Sequence, residues 1–341
     1  MKRVLIMLVK ALLALALPVL AADNLELEKA KTMFRDGRID DAVGLLERLV
    51  ATSTLSQSDR VEALEVLAYC NVAKQREDQV QRSFAQILQV DAAYEPRDTY
   101  LSHPAVMRAW LNARKQVVGN FAMAPSSTIK TIAILDFDNN SLEDADKLAN
   151  LGKGLADILI SDLGMLTKLK VVERERIQFI LDEIQRSDAT VNGQRMADPE
   201  FAVRVGKLVG AQSMLVGSYL KFGNKLRLDT RLVKTETSEI IKTESVEGKP
   251  DEIFELSKKL AIKISEDLEV AINKAEEENL ERIRKDEIPL EAAMAYSEAL
   301  NMLDQERYQD ARKMLNKALT IAPSFRMARN KLALLETFQK G

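Results

Sequence analysis

Two aspartates are the first residues in this sequence whose types and spacing suggest chemistry. Asp136 and Asp138 follow the apolar run Thr131–Phe137, which predicts a buried strand, and α/β proteins place ligands where such strands end. An Asp-x-Asp pair at this place is typical of phosphatases that form an aspartyl-phosphate. The supporting residues differ, because Asn140 stands where Thr or Ser is expected and no later Asp-Asp motif follows. We interpret both carboxylates as groups that cap and solvate a strand end, with an Asp-dependent phosphotransferase as the enzymatic alternative.

The same residues match a calcium-binding loop only in part. Asp136, Asp138 and Asn140 occupy the first three ligand positions, but Ser141 replaces the turn glycine and Lys147 replaces the bidentate glutamate. The 341 residues contain one His and one Cys, which excludes zinc sites built from several such ligands. The sequence therefore predicts no metal, no cofactor and no catalytic residue.

Four further sites in the sequence are best explained by structural roles. His103 lies in a Leu-Ser-His-Pro loop, and Cys70 lies on an apolar helical face that predicts a core position. Gly152-Lys153-Gly154 falls inside a predicted helix, so it indicates close helix–sheet packing and not a phosphate-binding loop. The run from Glu173 to Arg176 predicts a local ion-pair network at a helix start, with a subunit interface as the alternative.

The amino terminus predicts a secretory signal peptide over residues 1–21. Lys2, Arg3 and Lys10 accompany the ten-residue apolar run Ala11–Leu20, and small residues precede a cleavage point after Ala21. Cleavage would remove three cations and change the net charge from −3 to −6, which gives no reason to expect nucleic-acid binding. We expect a periplasmic protein that can associate with the outer membrane and has no integral membrane segment in the mature chain. An uncleaved anchor is the alternative.

Hydrophobic periodicity divides the remaining chain into three segments that must position these residues. Residues 22–118 form a predicted helical domain, 119–128 a linker, 129–273 an α/β domain, and 274–341 a charged linker helix followed by helical pairs. The predicted fold class is α+β or α/β: a central mixed β-sheet packed with helices, flanked by all-α hairpins.

The α/β segment alternates predicted strands and helices. Ser141-Leu-Glu-Asp144 matches a capping box and predicts a helix start, and the alternation across Lys225–Val233 predicts a strand with one buried face. The other predicted elements are the strands Leu169–Val172, Ser213–Lys221 and Glu239–Val246, and the helices Arg174–Gln185 and Asp251–Ile272.

The helical segments at both ends resemble the tetratricopeptide repeat. The residues that carry the spacing are Ala299, Tyr308, Ala311, Leu315, Ala318 and Pro323 near the carboxyl end, and Ala42 and Leu46 near the amino end. Small residues let paired helices approach closely, and Pro323 ends the second helix. The resemblance implies that the segments bind peptide segments or envelope proteins in a groove; unrelated helical hairpins are the alternative.

The central segment resembles the CsgG family of curli assembly/transport components and the related amino-terminal domain of TolB. The motifs that carry the resemblance are Ile132–Asn140, Gly152–Leu159, Val171–Arg174, Gly210-Ala211 with Gly217-Ser218, and Leu226–Val233 with Glu239-Ile240. The family-motif residues are Asp136, Asn139, Gly152, Asp157, Glu173, Arg174, Gly217 and Ser218.

This resemblance implies a non-enzymatic, exported component of envelope assembly, linked to outer-membrane secretion or curli-type assembly. A homo-oligomer is compatible with it. A pore is not expected, because the signal is followed by no Cys for lipid attachment and the turn at Gly223-Asn224 leaves no room for membrane-crossing strands. A periplasmic regulator of cell-wall synthesis is the alternative.

Overall fold

The computed structural model of the chain describes residues 24–51, 55–121, 129–188, 193–276, 278 and 288–339. The chain forms two compact units: unit 1 comprises Met1–Asn120 with Leu334–Gly341, and unit 2 comprises Phe121–Ala333. The predicted signal peptide, most of the predicted linker 119–128 and most of the charged helix near residue 280 lie outside the described residues.

Unit 1 is helical in its described residues. Its helices are α1 (residues 24–35), α2 (Ile39–Ala51), α3 (Gln57–Ala73), α4 (Glu77–Val90), α5 (Asp98–Leu101) and α6 (Pro104–Val118). Each consecutive pair from α2 to α4 packs together, and α6 packs on α4. Local signals set the ends of these helices: Ser56 caps the amide of Asp59, and Gly119 closes α6 in the left-handed conformation.

Unit 2 contains one mixed sheet in which the strands run in the order β3-β1-β4-β5-β6, with the short β2 also paired to β4. The strands are β1 (Lys130–Ile134), β2 (Asp138–Asn139), β3 (Leu169–Val171), β4 (Ser213–Phe222), β5 (Lys225–Lys234) and β6 (Ile240–Gly248). β1 lies parallel to β3 and β4, whereas β4, β5 and β6 form an antiparallel meander. The predicted fold class, a central mixed sheet with helices at both ends of the chain, is confirmed.

Helices cover both faces of the sheet in unit 2. Helices α7 (Leu151–Leu163) and α10 (Ile253–Asp267) bury their apolar stripes against one face, where Leu215 and Leu228 point into the core. Helix α9 (Pro199–Val209) lies on the opposite face, since Gly206 approaches the side chain of Met214. Helix α8 (Arg174–Ser187) packs beside α9.

Helices α11 (Leu290–Asp304), α12 (Tyr308–Ile321) and α13 (Arg326–Gln339) lie towards the carboxyl end of the chain. Helix α11 packs on α7, and its Ala293 belongs to the core of the sheet domain. Unit 2 thus continues to Ala333, whereas the predicted α/β domain ends at residue 273. The predicted domain boundaries and the tetratricopeptide resemblance stay predictions.

The predicted capping box at Ser141 is wrong as a helix start. Helix α7 begins at Leu151, and residues 145–150 form turns. The hydroxyl of Ser141 instead accepts a hydrogen bond from the amide of Lys221 on β4, at 3.0 Å. The side chain of Ser141 therefore binds an amide of β4 and does not cap a helix.

The predicted helix Asp251–Ile272 is also too long. A short 3-10 turn, Pro250–Glu252, precedes α10, which ends at Asp267. The left-handed conformation at Glu269 turns the chain away from the helix axis. Among the helices of the described residues, none is both long enough and apolar enough to cross a membrane.

Candidate functional site

The two aspartates singled out in the sequence follow β1, and the structure directs them to different partners. The carboxylate of Asp136 lies 3.2 Å from the ammonium of Lys153 and 3.8 Å from Nε of Arg174. The carboxylate of Asp138 accepts the backbone amides of Met196 and Ala197, each at 3.1 Å. Asp138 therefore positions a loop, and Asp136 belongs to an ion cluster.

The ion cluster is completed by Asp304, the last residue of α11. The guanidinium of Arg174 donates two hydrogen bonds to the carboxylate of Asp304, at 2.8 and 2.6 Å. The ammonium of Lys153 donates to the same carboxylate at 2.8 Å. Arg174 is only 3% exposed. The guanidinium of Arg174 thus binds both oxygens of one carboxylate in a fixed geometry. That carboxylate, Asp304, belongs to the chain itself.

Burial and charge oppose each other at these groups. Burial raises the pKa of the Asp304 carboxyl, but the charges and hydrogen bonds of Arg174 and Lys153 outweigh it and hold the pKa below its usual range. Burial likewise lowers the pKa of Arg174, while Asp304 and Asp136 together raise it well above its ordinary value. Asp304 and Arg174 are therefore both charged at neutral pH.

A second set of buried contacts ties the same face of unit 2 to the C-terminal helices. The carboxylate of Glu175 accepts a hydrogen bond from the ammonium of Lys331 at 2.8 Å, with both side chains almost fully buried. The hydroxyl of Tyr296 donates to the carboxylate of Asp157 at 2.5 Å. The predicted local network at Glu173–Arg176 is thus wrong for Arg174 and Glu175, because their partners lie more than a hundred residues away in the chain.

Three glycines allow close approaches around these groups. A Cβ added to Gly152 would meet the carbonyl oxygen of Phe137 at 1.9 Å, and one added to Gly217 would meet the ring of Phe137 at 2.5 Å. A Cβ at Gly154 would lie 2.0 Å from the hydroxyl of Ser297 on α11. Gly152 and Gly154 lie within α7, so they serve packing and do not form a loop around a phosphate.

An open cleft of about 730 Å³ is lined by residues of β4, β5 and β6, of the loop before α9 and of the start of α9. Its floor includes Ser218 of β4 and Arg231 of β5, and its rim includes Arg195 from the loop before α9. Arg195 donates to Asp138 at 3.2 Å and to the side-chain oxygen of Asn140 at 3.0 Å. Asp138 therefore shapes this cleft by holding its rim. The cleft is polar, and its lining includes two arginines, Arg195 and Arg231, and two aspartates, Asp198 and Asp229.

The remaining family-motif residues have structural contacts. Asn139 donates from its amide to the carbonyl of Ala145 at 2.9 Å and accepts the amide of Ser141 at 2.9 Å. Glu173 is the residue that precedes α8. Asp136 and Arg174 thus belong to the ion cluster, Gly152 and Gly217 are points of close approach, and Ser218 lines the cleft. Asn139, Asp157 and Glu173 lie outside these three groups.

The repeat-packing residues lie mainly in helix interfaces. Six of them are fully buried: Ala42, Leu46, Ala299, Ala311, Leu315 and Ala318. Tyr308 begins α12, and Pro323 lies exposed in the turn between α12 and α13. These placements fit paired helices.

The lone His and Cys have structural places. His103 precedes α6, and its Nδ1 accepts the amide of Ala105 at 3.3 Å. Cys70 is buried in α3, and burial raises the pKa of its thiol to about 12. Within the described residues, no group of three or more His, Cys, Asp or Glu side chains is arranged to hold a metal ion.

Sequence reasoning missed Lys153, Asp304 and Lys331 as partners of the motif residues. A usable signal was present: Asp304 ends a helix that is otherwise rich in small and apolar residues, so its carboxylate needs a cation if the helix packs. The identity of that cation is not a local property of the sequence.

The family model described as "Curli production assembly/transport component CsgG" matches residues 117–228. This central segment resembles the CsgG family. The matched residues include β1, the ion-cluster residues Asp136, Lys153 and Arg174, and the first half of the β4–β5 hairpin, but not β6 or α10. The resemblance predicted from the motifs is thereby confirmed over these residues.

A sequence search of proteins with curated descriptions gave no match. Among solved structures, the chain is similar to TolB from Acinetobacter baumannii, with a TM-score of 0.28 and 12% identity, over 42% of this chain and 29% of that one. It is also similar to the LpoB C-terminal domain from Salmonella enterica, with a TM-score of 0.25 and 15% identity, over 42% of this chain and 95% of that one. A PelC dodecamer from Paraburkholderia phytofirmans gives a TM-score of 0.25 and 12% identity, over 43% and 93%.

Proposed function

We propose that this protein is an exported, non-enzymatic component of the cell envelope that binds partner proteins during secretion or curli-type assembly. The observation that carries the proposal is the use of Asp136 and Asp138 as structural anchors within a CsgG-like segment. Asp136 faces two cations of the ion cluster, and Asp138 holds the rim of the cleft. The predicted signal peptide supports export to the periplasm.

The enzymatic alternative needs one of these carboxylates as a nucleophile. A nucleophilic aspartate must reach a phosphoryl group while a cation or metal neutralises the developing charge. Lys153 and Arg174 are instead bound to Asp304, whose carboxylate lies within hydrogen-bond distance of both. A phosphoryl group would have to displace a carboxylate of the chain itself, so the geometry favours a structural role for the cluster.

The cleft of unit 2 is the surface through which we expect partners to bind. Arg231 is exposed on the cleft floor, and Arg195 is exposed on the rim while its guanidinium is held by Asp138. Acidic side chains or a terminal carboxylate of an envelope protein complement this pair of cations. The helical segments would contribute further partner contacts if they are repeats, as predicted.

The test combines cell fractionation with cross-linking of the full chain in a Gram-negative host. Wild type, the double variant Arg195→Ala/Arg231→Ala and the control Lys225→Ala are captured with an antibody after cross-linking. Lys225 is a matched control because it is an exposed cation on the same strand as Arg231, outside the residues that line the cleft. We expect the control to recover the same amount of each envelope partner as wild type. The double variant should recover at least fivefold less.

Two results would overturn the proposal. The first is retention of the wild-type chain in the cytoplasm, or recovery of the same envelope proteins by all three chains. The second is magnesium-dependent turnover of a phosphate ester that disappears in Asp136→Asn, because that outcome assigns catalysis to the strand-end carboxylate.

A further inference from the structure

Strand β6 forms an edge of the sheet in unit 2. Within the part of the chain that the structure describes, β6 has β5 as its only strand neighbour. It is nine residues long, and most of these residues are exposed. An edge strand presents backbone N–H and C=O groups that a further strand can bind. The length and exposure of β6 make its free edge a surface on which another strand fits.

The register of the sheet shows which backbone groups of β6 point away from β5. In an antiparallel ladder, alternate residues direct their amide and carbonyl groups to opposite sides of the strand. The amide of Lys234 on β5 donates to the carbonyl of Glu239, so the even-numbered residues of β5 bind towards β6. From residue 242 to residue 248, they are opposite the even-numbered residues of β6. Thr243 and Ser245 therefore direct their amides and carbonyls to the free edge.

Two side chains of opposite charge lie on one face of this edge. The carboxylate of Glu244 accepts a hydrogen bond from the ammonium of Lys263 on α10 at 2.5 Å, which holds it in place. Lys242 is exposed and forms no hydrogen bond or ion pair with any residue that the structure describes. Because Lys242 and Glu244 are two positions apart in a strand, their side chains project from the same face of the sheet. The edge thus carries a fixed anion and an available cation.

A second copy of β6 complements these charges in one register. When identical strands pair antiparallel about a two-fold axis, residues equally far before and after the axis face each other. With the axis at Thr243, Lys242 of each copy faces Glu244 of the other. With the axis at Lys242 or Glu244, like charges oppose, and at Ser245 neither charge faces an opposite one. Opposite charges directly across a ladder attract and like charges repel, so the pattern favours the axis at Thr243.

We propose that the free edge of β6 is an interface between two copies of this chain, paired antiparallel about Thr243 so that one sheet continues into the other. The charged edge disfavours unrelated strands, whereas a second copy supplies the matching charges. The two-fold axis is perpendicular to the sheet, so both copies present the same face on the same side. Thr243 also lines the cleft, and the two clefts therefore lie side by side. The inference goes beyond the proposed function, because dimerisation needs no envelope partner.

Sedimentation velocity of the purified full chain at several concentrations tests this interface. The chains compared are wild type, Lys242→Glu, Glu244→Lys and the control Lys207→Glu. Lys207 is a matched control because it is an exposed lysine of α9 that forms no ion pair with a described residue. Each edge variant turns two attractive cross-strand pairs into two repulsive ones. We expect the dimer dissociation constant to rise at least about tenfold in both and to stay unchanged in the control.

An equimolar mixture of Lys242→Glu and Glu244→Lys distinguishes loss of charge complementarity from damage to the fold. In the mixed dimer, both carboxylates of one chain face both ammonium groups of the other. The mixture should therefore dimerise about as tightly as wild type, although neither variant does so alone. Absence of this recovery in two variants with the circular dichroism of wild type would overturn the pairing about Thr243.

Thr243→Pro tests the backbone contacts independently of charge. Proline removes an amide that points away from β5, so the ladder between β5 and β6 keeps its own hydrogen bonds. We expect unchanged circular dichroism and loss of the dimer. A wild type that stays monomeric, or a dimer that both Lys242→Glu and Thr243→Pro retain, would overturn the proposal. A monomer in which the amides of Thr243 and Ser245 resist hydrogen exchange would also overturn it, because another segment of the same chain would then cover the edge.

Discussion

Replacing Asp304 with alanine tests whether the ion cluster stabilises unit 2. The substitution removes the carboxylate that accepts two hydrogen bonds from Arg174 and one from Lys153. It leaves Arg174, which is 3% exposed, with Asp136 at 3.8 Å as its nearest carboxylate of the cluster. Removing one partner of a buried ion pair costs about 3–5 kcal/mol. Because Asp136 compensates part of the charge, we expect a loss of about 3 kcal/mol.

The assay is urea unfolding of the full chain followed by far-UV circular dichroism, with native-state hydrogen exchange to locate the loss in α11. Asp310→Ala is the matched control, because Asp310 also pairs with two cations, Arg307 and Lys313, but its side chain is 34% exposed. Exposed pairs contribute about 0–1 kcal/mol, so the control should unfold nearly as wild type does.

A paired substitution distinguishes an uncompensated charge from a simple loss of packing. Arg174→Met combined with Asp304→Leu removes both charges and keeps apolar volume, and such replacements are often neutral or stabilising. We therefore expect the double variant to be more stable than Asp304→Ala alone. The reasoning is refuted if Asp304→Ala costs no more than Asp310→Ala, because Arg174 would then be solvated and not buried against this carboxylate.

Three further predictions concern other buried groups. Burial raises the pKa of Asp162 to about 7, although Ser257, Lys258 and Arg326 lower it in part. The folded state therefore binds more protons than the unfolded state between about pH 4 and 7. Stability should fall by about 4 kcal/mol as pH rises through that window, and Asp162→Asn should remove this slope in urea unfolding at several pH values. Gly154→Ala would place its Cβ 2.0 Å from the hydroxyl of Ser297, so it should cost about 1–3 kcal/mol, and Ser297→Ala should recover part of the loss. Cys70 is buried with a thiol pKa of about 12, so it should react with a thiol reagent only in denaturant; modification of the native chain within minutes would contradict its placement.

The β4–β5 hairpin is the part of the fold that the sequence predicts best. Alternation of apolar and charged residues along Lys225–Val233 specifies both the strand and its buried face, and the observed strand extends one residue further, to Lys234. The pattern is informative because one face packs against helices while the other meets water, so a shift by one residue would invert every side chain.

The capping box at Ser141 failed because its rule considers only neighbours along the chain. Its hydroxyl accepts a hydrogen bond from the amide of Lys221, eighty residues away, and the helix begins at Leu151, ten residues after Ser141. Similarly, the charge run at Glu173–Arg176 predicts ion pairs within one helix, whereas Arg174 binds Asp304 and Glu175 binds Lys331. A single sequence gives the charges but not their distant partners.

These distant partners explain why the C-terminal helix α11 belongs to the same compact unit as the CsgG-like segment. Without α11, the guanidinium of Arg174 would lose Asp304, and the carboxylate of Asp157 would lose the hydroxyl of Tyr296. Gly154 would also lose its close neighbour Ser297 of α11, whose hydroxyl leaves no room for a Cβ at this position. Because α11 supplies these partners and also the core residue Ala293, we expect the CsgG-like segment of this chain to be less stable without α11, although the matched residues end at 228. Chains truncated before residue 288 should therefore lose the cooperative unfolding of the sheet, whereas independent domains would leave that transition unchanged.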